Sequence, residues 1–253
     1  MKKALLAVSF GTGVPEARKD ITAFEDALKD TAPDRAFFRA FTSPTIRRKL
    51  AHRGETVLST EEALGLLAEK GYTDVAVQPG YILCGGEYDR LAQAAAKFAP
   101  RFERLRLGKP LLASDADLRT VAEVLWQTYR PEEGALALFG HGAAHLANMA
   151  YPAMQTALRL LGAKDAFVAT VEGWPGYGEL AEQLREGGYR TVTLTPLMLV
   201  AGDHALKDMA GDGAESWRSR LMAEGFTVTC RLQGLGAVPA IREIYAAHLN
   251  AVL

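Results

Sequence analysis

Short apolar runs alternate with amphipathic stretches along this chain. Ala4 to Ser9 is an apolar run that ends in a Gly-Thr-Gly turn. Pro15 then opens a segment in which Ile21, Phe24, Ala27 and Leu28 recur at helical spacing. Ala36 to Thr42 predicts a second strand, Glu61 to Lys70 an amphipathic helix closed by Gly71, and Val75 to Leu83 a third strand broken at Pro79-Gly80. Continuous apolar runs of this length suit strands covered on both faces. Their order, βαβαβ, predicts a parallel sheet with helices packed on it.

The second half starts over. Ala135-Leu136-Ala137-Leu138-Phe139-Gly140-His141-Gly142 resembles Leu5 to Gly13, with Phe-Gly-x-Gly in both, and this alignment sets His141 where Thr12 stands. Gly71-Tyr72-x-x-Val75-x-Val77-x-Pro79 likewise matches Gly188-Tyr189-x-x-Val192-x-Leu194-x-Pro196, which places Glu87 opposite His204. Phe38 to Thr42 and Val168 to Glu172 are matching strand ends. The first half carries extra residues after Thr42, led by Pro44 and including the basic run Arg47-Arg48-Lys49. The fold expected is α/β, two similar Rossmann-like βαβαβ domains with parallel sheets, related by duplication and facing a cleft. Their expected extents are 1–128 and 129–253, with the join in the linker-like segment Tyr129 to Gly134. The last segment, Val238 to Leu253, predicts a helix that can pack back on the first domain.

Composition narrows the class. The 253 residues are 49% hydrophobic and 23% charged, with 29 Lys and Arg against 30 Asp and Glu. Neither a disordered chain nor a general nucleic-acid binder has this balance. No stretch approaches the ~18 to 20 apolar residues of a membrane span, and Lys2 to Val8 runs into Ser9-Phe10-Gly11-Thr12 without a signal-cleavage pattern. Two cysteines, Cys84 and Cys230, make no disulfide framework and no CxxC pair. A cytoplasmic protein without nucleic-acid or membrane partners is expected, and a homo-oligomer is compatible with these features.

Chemistry concentrates at strand ends, where open α/β sheets bind ligands. In the second half three consecutive strand C-termini are followed by His141, Glu172 and His204, with Gly140, Gly142, Gly173 and Gly202 beside them. Two imidazoles and a carboxylate form a recurrent donor set for divalent zinc, iron, cobalt or nickel, and three protein ligands leave coordination positions open. His145 stands four residues after His141, but Gly142 and the missing glutamate leave it short of an HExxH zinc motif. His52 and His248 lie in charged or amphipathic surroundings and read as solvent-facing. The first half carries Thr12, Thr42 with Ser43, and Glu87 at the matching places, which are poor metal ligands. There is no GxxxxGK[ST], no dinucleotide fingerprint and no GxSxG elbow, so no nucleotide is expected.

At these residues the chain resembles the anaerobic sirohydrochlorin cobaltochelatases, the class II, ATP-independent tetrapyrrole chelatases of cobalamin biosynthesis, related in fold to ferrochelatase. The segments that carry the resemblance are Lys2 to Thr12, Phe38 to Ser43, Gly140-His141-Gly142-Ala143-x-His145, and Pro196-Leu197-Met198-Leu199-Val200-Ala201-Gly202-Asp203-His204. Some members have a second histidine after the one matching His145, where this chain has Leu146. The resemblance implies Co2+ as substrate metal, bound by His141, Glu172 and His204, and sirohydrochlorin as its acceptor. It also implies a catalytic acid at Glu87. His141, His204 or Glu87 would take the pyrrole protons, an imidazole being suited by an unperturbed pKa of about 6.5. Phe10, Leu83 and Met198 are then expected against the ring faces, with Ser9, Gly11, Thr12, Ser43 and basic groups near its carboxylates. Three alternatives stay open on these residues: iron insertion into the same ring for sirohaem, a metal-dependent hydrolase or lyase using the same His2Glu set, and a non-catalytic metal or tetrapyrrole carrier.

Overall fold

A computed structural model describes residues 1–253. In chain order its elements are β1 (Lys3–Ser9), α1 (Arg18–Thr31), β2 (Ala36–Phe41), α2 (Pro44–Ala51), α3 (Thr60–Glu69), β3 (Asp74–Pro79), α4 (Gly86–Phe98) and β4 (Arg104–Leu107). They continue with α5 (Asp115–Tyr129), β5 (Ala135–Gly140), α6 (Ala150–Leu160), β6 (Ala166–Thr170), α7 (Tyr177–Glu186), β7 (Thr191–Leu197), α8 (Trp217–Ala223), β8 (Thr227–Cys230) and α9 (Pro239–Asn250). Two all-parallel sheets result, ordered β2-β1-β3-β4 and β6-β5-β7-β8. No helix is long and apolar enough to cross a membrane.

Each sheet has four strands where the apolar runs predict three. The additions, β4 and β8, are edge strands of sequence RLRL and TVTC, only partly buried, and so lack the continuous apolar run that marks the central strands. One predicted strand is also shorter than expected: β3 stops at Pro79 instead of Leu83, and Leu83 retains a single bridge to Leu112. The extra residues after Thr42 form α2, capped by Ser43, whose hydroxyl accepts from the Ile46 N–H at 3.3 Å.

The chain divides into two compact units, Met1–Ala113 with Gly236–Leu253, and Ser114–Leu235. The boundary therefore precedes α5 and does not fall at 128/129. Packing explains both displacements. α5 lies against α6 and joins the second unit, whereas α9 lies against α1 and β3 and belongs to the first. Tyr245 of α9 is fully buried, edge-on to Phe24 at 4.9 Å, and its hydroxyl donates to the Tyr81 carbonyl at 2.9 Å. In the second unit the core centres on Phe139 and Trp217, edge-on at 4.6 Å.

The sheet register revises the repeat. β1 pairs Ala4 with Val75 and β5 pairs Ala135 with Val192, so with Val75 matched to Val192, Ala4 answers to Ala135. The same spacing matches Gly11 (φ 89°) to Gly142 (φ 88°), the left-handed turns after each first strand. His141 therefore has Phe10 as its counterpart, not Thr12. The Phe-Gly-x-Gly likeness misaligns the turns because the conformational requirement sits on the second glycine of one motif and the first of the other.

One buried ion cluster anchors the first sheet. Arg35 and Asp74 pair at 3.0 Å with side chains 3% and 2% exposed, and Arg106 reaches the same carboxylate at 2.9 Å. Burial pushes the Asp74 carboxyl up, but the hydrogen bonds and charges of Arg35 and Arg106 outweigh it and hold the group below its usual range. A depressed folded pKa contributes stability that is present above the unfolded value and lost as pH falls through the folded one. Arg35→Met should cost about 3 kcal/mol at pH 7 by stripping a buried carboxylate of its main partner. Urea denaturation should find that deficit shrinking below about pH 4; an equal deficit at pH 7 and pH 3 would contradict this role.

Candidate metal centre

The ends of β6, β5 and β7 are neighbours because β5 lies between the other two. His141 directly follows β5. Glu172 comes just after β6, and the parallel ladder continues past the strand ends: the Val171 N–H donates to the Gly140 carbonyl at 3.0 Å and the Glu172 N–H to the His141 carbonyl at 2.8 Å. The backbones that carry these two candidate ligands are thus bonded to each other. Gly142 lets them approach, since a Cβ there would stand 2.5 Å from the Gly173 nitrogen and 2.8 Å from the Glu172 carbonyl carbon. Under this turn the Tyr151 hydroxyl accepts from the Gly142 N–H at 3.3 Å, and burial keeps that phenol above its ordinary ionisation range. The third residue, His204, is carried past β7 by a bend through Met198 to Gly202 and opens a π-helical turn over Ala205–Met209.

The candidate ligand atoms of His141, Glu172 and His204 all lie within 4.8 Å of one another. Three atoms tetrahedrally placed about 2.1 Å from one ion stand about 3.4 Å apart, so side-chain movement that closes the widest separation by about 1.4 Å brings all three onto one metal. The imidazoles meet edge-on, centroids 4.6 Å apart at 89°. Side-chain exposures of 43%, 57% and 41% leave the three donors open to an incoming partner.

The hydrogen bonds fix which nitrogens are available. Nδ1 of His141 lies 3.0 Å from the Gly142 carbonyl and 3.8 Å from Glu172 Oε2; the carbonyl only accepts, so this contact is a hydrogen bond in the Nδ1–H tautomer, in which Nε2 keeps its lone pair. Nδ1 of His204 donates to the Asp208 carboxylate at 2.6 Å, again freeing Nε2. A carboxylate behind a ligating imidazole orients the ring and raises its basicity. Asp208 is absent from the strand-end reading; its only sequence signal is the His204-x-x-x-Asp208 spacing, which acquires meaning once the turn is known. Asp208→Ala should weaken Co2+ binding about 10- to 100-fold in a visible-absorption titration, and an unchanged affinity would show that the carboxylate orients nothing.

The profile of the family described as Cobalt chelatase (CbiK) matches residues 3–253. The chain belongs to the CbiK cobalt chelatase family. It is 44% identical to the sirohydrochlorin cobaltochelatase of Salmonella typhimurium, over all of this chain and 97% of that protein, and 32% identical to the sirohydrochlorin cobaltochelatase CbiKC of Nitratidesulfovibrio vulgaris, over all of this chain and 91% of that one. Two solved structures share the fold of this CbiK-family chain. SirB from Bacillus subtilis with Fe3+ has a TM-score of 0.66 at 18% identity, covering 100% of this chain and 96% of that one. DR2241 from Deinococcus radiodurans has a TM-score of 0.64 at 16% identity, covering 98% and 55%.

The other candidate residues of this CbiK-family chain are placed as follows. His145 stands outside the three-residue cluster. Residues 141–145 are a loop, not a helix, and His145 caps the following 3-10 turn, its Nδ1 accepting from the Ala147 N–H at 3.1 Å. In the first unit the Ser43 N–H donates to the Phe10 carbonyl at 3.3 Å, as Glu172 does to His141. Glu87 lies as many residues past Pro79 as His204 lies past Pro196. Phe10, Ser43 and Glu87 are therefore the counterparts of His141, Glu172 and His204. Phe10 is 51% exposed, and Glu87 is half-buried in the first turn of α4, paired with Arg90. Ser9 and Thr12 are buried, the Thr12 hydroxyl accepting from the Val14 N–H at 3.1 Å, while Gly11 forms the left-handed turn. Leu83 is half-buried, and Met198 packs against the second unit's core.

Proposed function

We propose that this chain inserts Co2+ into sirohydrochlorin without nucleotide, and that His141, Glu172 and His204 hold the incoming ion. The observation that carries the proposal is the convergence of these three side chains at adjacent strand ends, in a CbiK-family chain 44% identical to a sirohydrochlorin cobaltochelatase. The donor set alone does not discriminate cobalt from iron; the choice of cobalt rests on the relatives.

Insertion replaces two pyrrole N–H protons with one divalent ion, so the protein has a metal to deliver and two protons to take up. Two neutral imidazoles and one carboxylate carry a single negative charge, which attracts Co2+ without neutralising it. Three ligands leave coordination positions at which ring nitrogens replace water. As the ion passes to the ring, the Nε2 atoms of His141 and His204 regain lone pairs beside the pyrrole nitrogens, so the departing metal uncovers bases where protons are released. Glu87, the first unit's counterpart of His204, is the third acceptor we assign. Ser9, Phe10, Gly11, Thr12, Ser43, Leu83 and Met198 are the residues proposed to contact the ring, with Phe10 presenting the most exposed apolar surface among them. The Thr12 and Ser43 hydroxyls accept from the N–H groups of their own turns, which leaves each O–H to donate toward the ring's carboxylates.

Anaerobic absorbance of sirohydrochlorin with Co2+ and catalytic protein, without ATP, tests this reading. Many turnovers per chain are expected. Stoichiometric binding without turnover would mean a carrier, and no spectral change would redirect attention to metal-dependent hydrolysis.

A further inference from the structure

We infer that Asn148 is a positioning residue that staples the His141 loop to the Glu172 loop and thereby sets the affinity of the site for its metal. The inference rests on the metal-centre reading above and assigns a role to a side chain that touches none of the three ligands.

Asn148 lies in the 3-10 turn Leu146–Met149, where its N–H donates to the His145 carbonyl at 2.9 Å and holds the turn. Its Oδ1 accepts from the Ala143 N–H at 3.0 Å, and its Nδ2 donates to the Trp174 carbonyl at 2.6 Å. Ala143 stands two positions after His141 and Trp174 two positions after Glu172. One amide thus grips both loops at equal remove from the ligand each carries. The ladder bond from Glu172 to His141 ties the loops at their roots, and Asn148 ties them farther out, so neither can swing away alone. Gly173 makes room for this: a Cβ there would collide with Asn148 Oδ1. Only a carboxamide both accepts and donates here. Aspartate offers two acceptors and would face the Trp174 carbonyl with a like dipole.

A side chain that fixes the spacing of two ligand loops should act on metal affinity only while both ligands are present. The test is a visible-absorption titration with Co2+ alone on the full chain, comparing wild type, Asn148→Ala, Asn148→Asp, Glu172→Ala and the double variant Glu172→Ala/Asn148→Ala, with thermal melts alongside. Both Asn148 variants should raise the Co2+ Kd about tenfold, in the range of outer-shell partners. In the Glu172→Ala background the Asn148→Ala change should alter Kd less than about twofold, because the loop it holds no longer carries a ligand. Asn148→Asp keeps the Ala143 contact and serves if the alanine variant fails to fold. Folded Asn148 variants with wild-type Kd, or a full tenfold loss persisting in the Glu172→Ala background, would overturn the inference. Glu172→Ala binding Co2+ as tightly as wild type would instead remove the metal-centre reading on which it depends.

Discussion

His204→Ala and His141→Ala should each lower kcat/KM for Co2+ insertion by more than about 100-fold, beyond the 10- to 100-fold of outer-shell partners. Each change leaves one imidazole and one carboxylate, too few to hold a divalent ion against water. The fall should come with a matching loss of Co2+ affinity in the absence of sirohydrochlorin, because the same Nε2 atoms serve both steps. The strand ends that carry these residues are well supported. β5 and β7 pair from Ala135–Val192 to Gly140–Leu197, and the side chains at issue are substantially exposed, so alanine should leave the fold intact. A loss below about tenfold in either variant, measured anaerobically with the ring in excess, would show that the imidazole is not a ligand.

Gly142→Ala should damage both stability and Co2+ binding although the position carries no functional side chain. At φ 88° an L-residue is strained by about 1 to 2 kcal/mol. Its Cβ would also meet the backbone of Glu172 and Gly173, which cannot rotate aside as a side-chain tip can, at a further cost of about 1 to 3 kcal/mol. The way to relieve that contact is to part the two ligand loops. Gly162→Ala separates the two effects, because Gly162 has φ 89° with nothing near its missing Cβ. Urea denaturation should find Gly162→Ala mildly destabilised with normal Co2+ affinity, and Gly142→Ala both less stable and weaker for Co2+. Equal behaviour of the two variants would mean that the close approach at Gly142 does not position the site.

The central strands and the three candidate ligands are legible in the chain for the same reason. β1, β5 and β6 are buried almost throughout and read as near-continuous apolar runs, and the residues that follow such a run lie at the sheet's ligand-binding edge. His141, Glu172 and His204 are visible as the polar residues where three runs stop. β4 and β8 escaped because a half-buried edge strand alternates and is short. The unit boundary was misplaced because Tyr129 to Gly134 has a linker's composition, whereas α5 is claimed by its packing on α6. The matching of His141 to Thr12 followed a likeness of letters; the φ values of Gly11 and Gly142 and the strand register move the counterpart to Phe10. Asp208 and Asn148 could not be found from spacing alone, since their roles arise from a π-helical turn and from two loops brought together by the sheet.

The most direct measurement is X-ray absorption at the cobalt edge on the full chain loaded with one equivalent of Co2+, beside His204→Ala. The account predicts a nitrogen and oxygen shell with outer scattering from two imidazoles in the wild type and one in the variant. A wild-type spectrum without imidazole scattering would place the ion elsewhere and contradict the site on which the proposed chemistry depends.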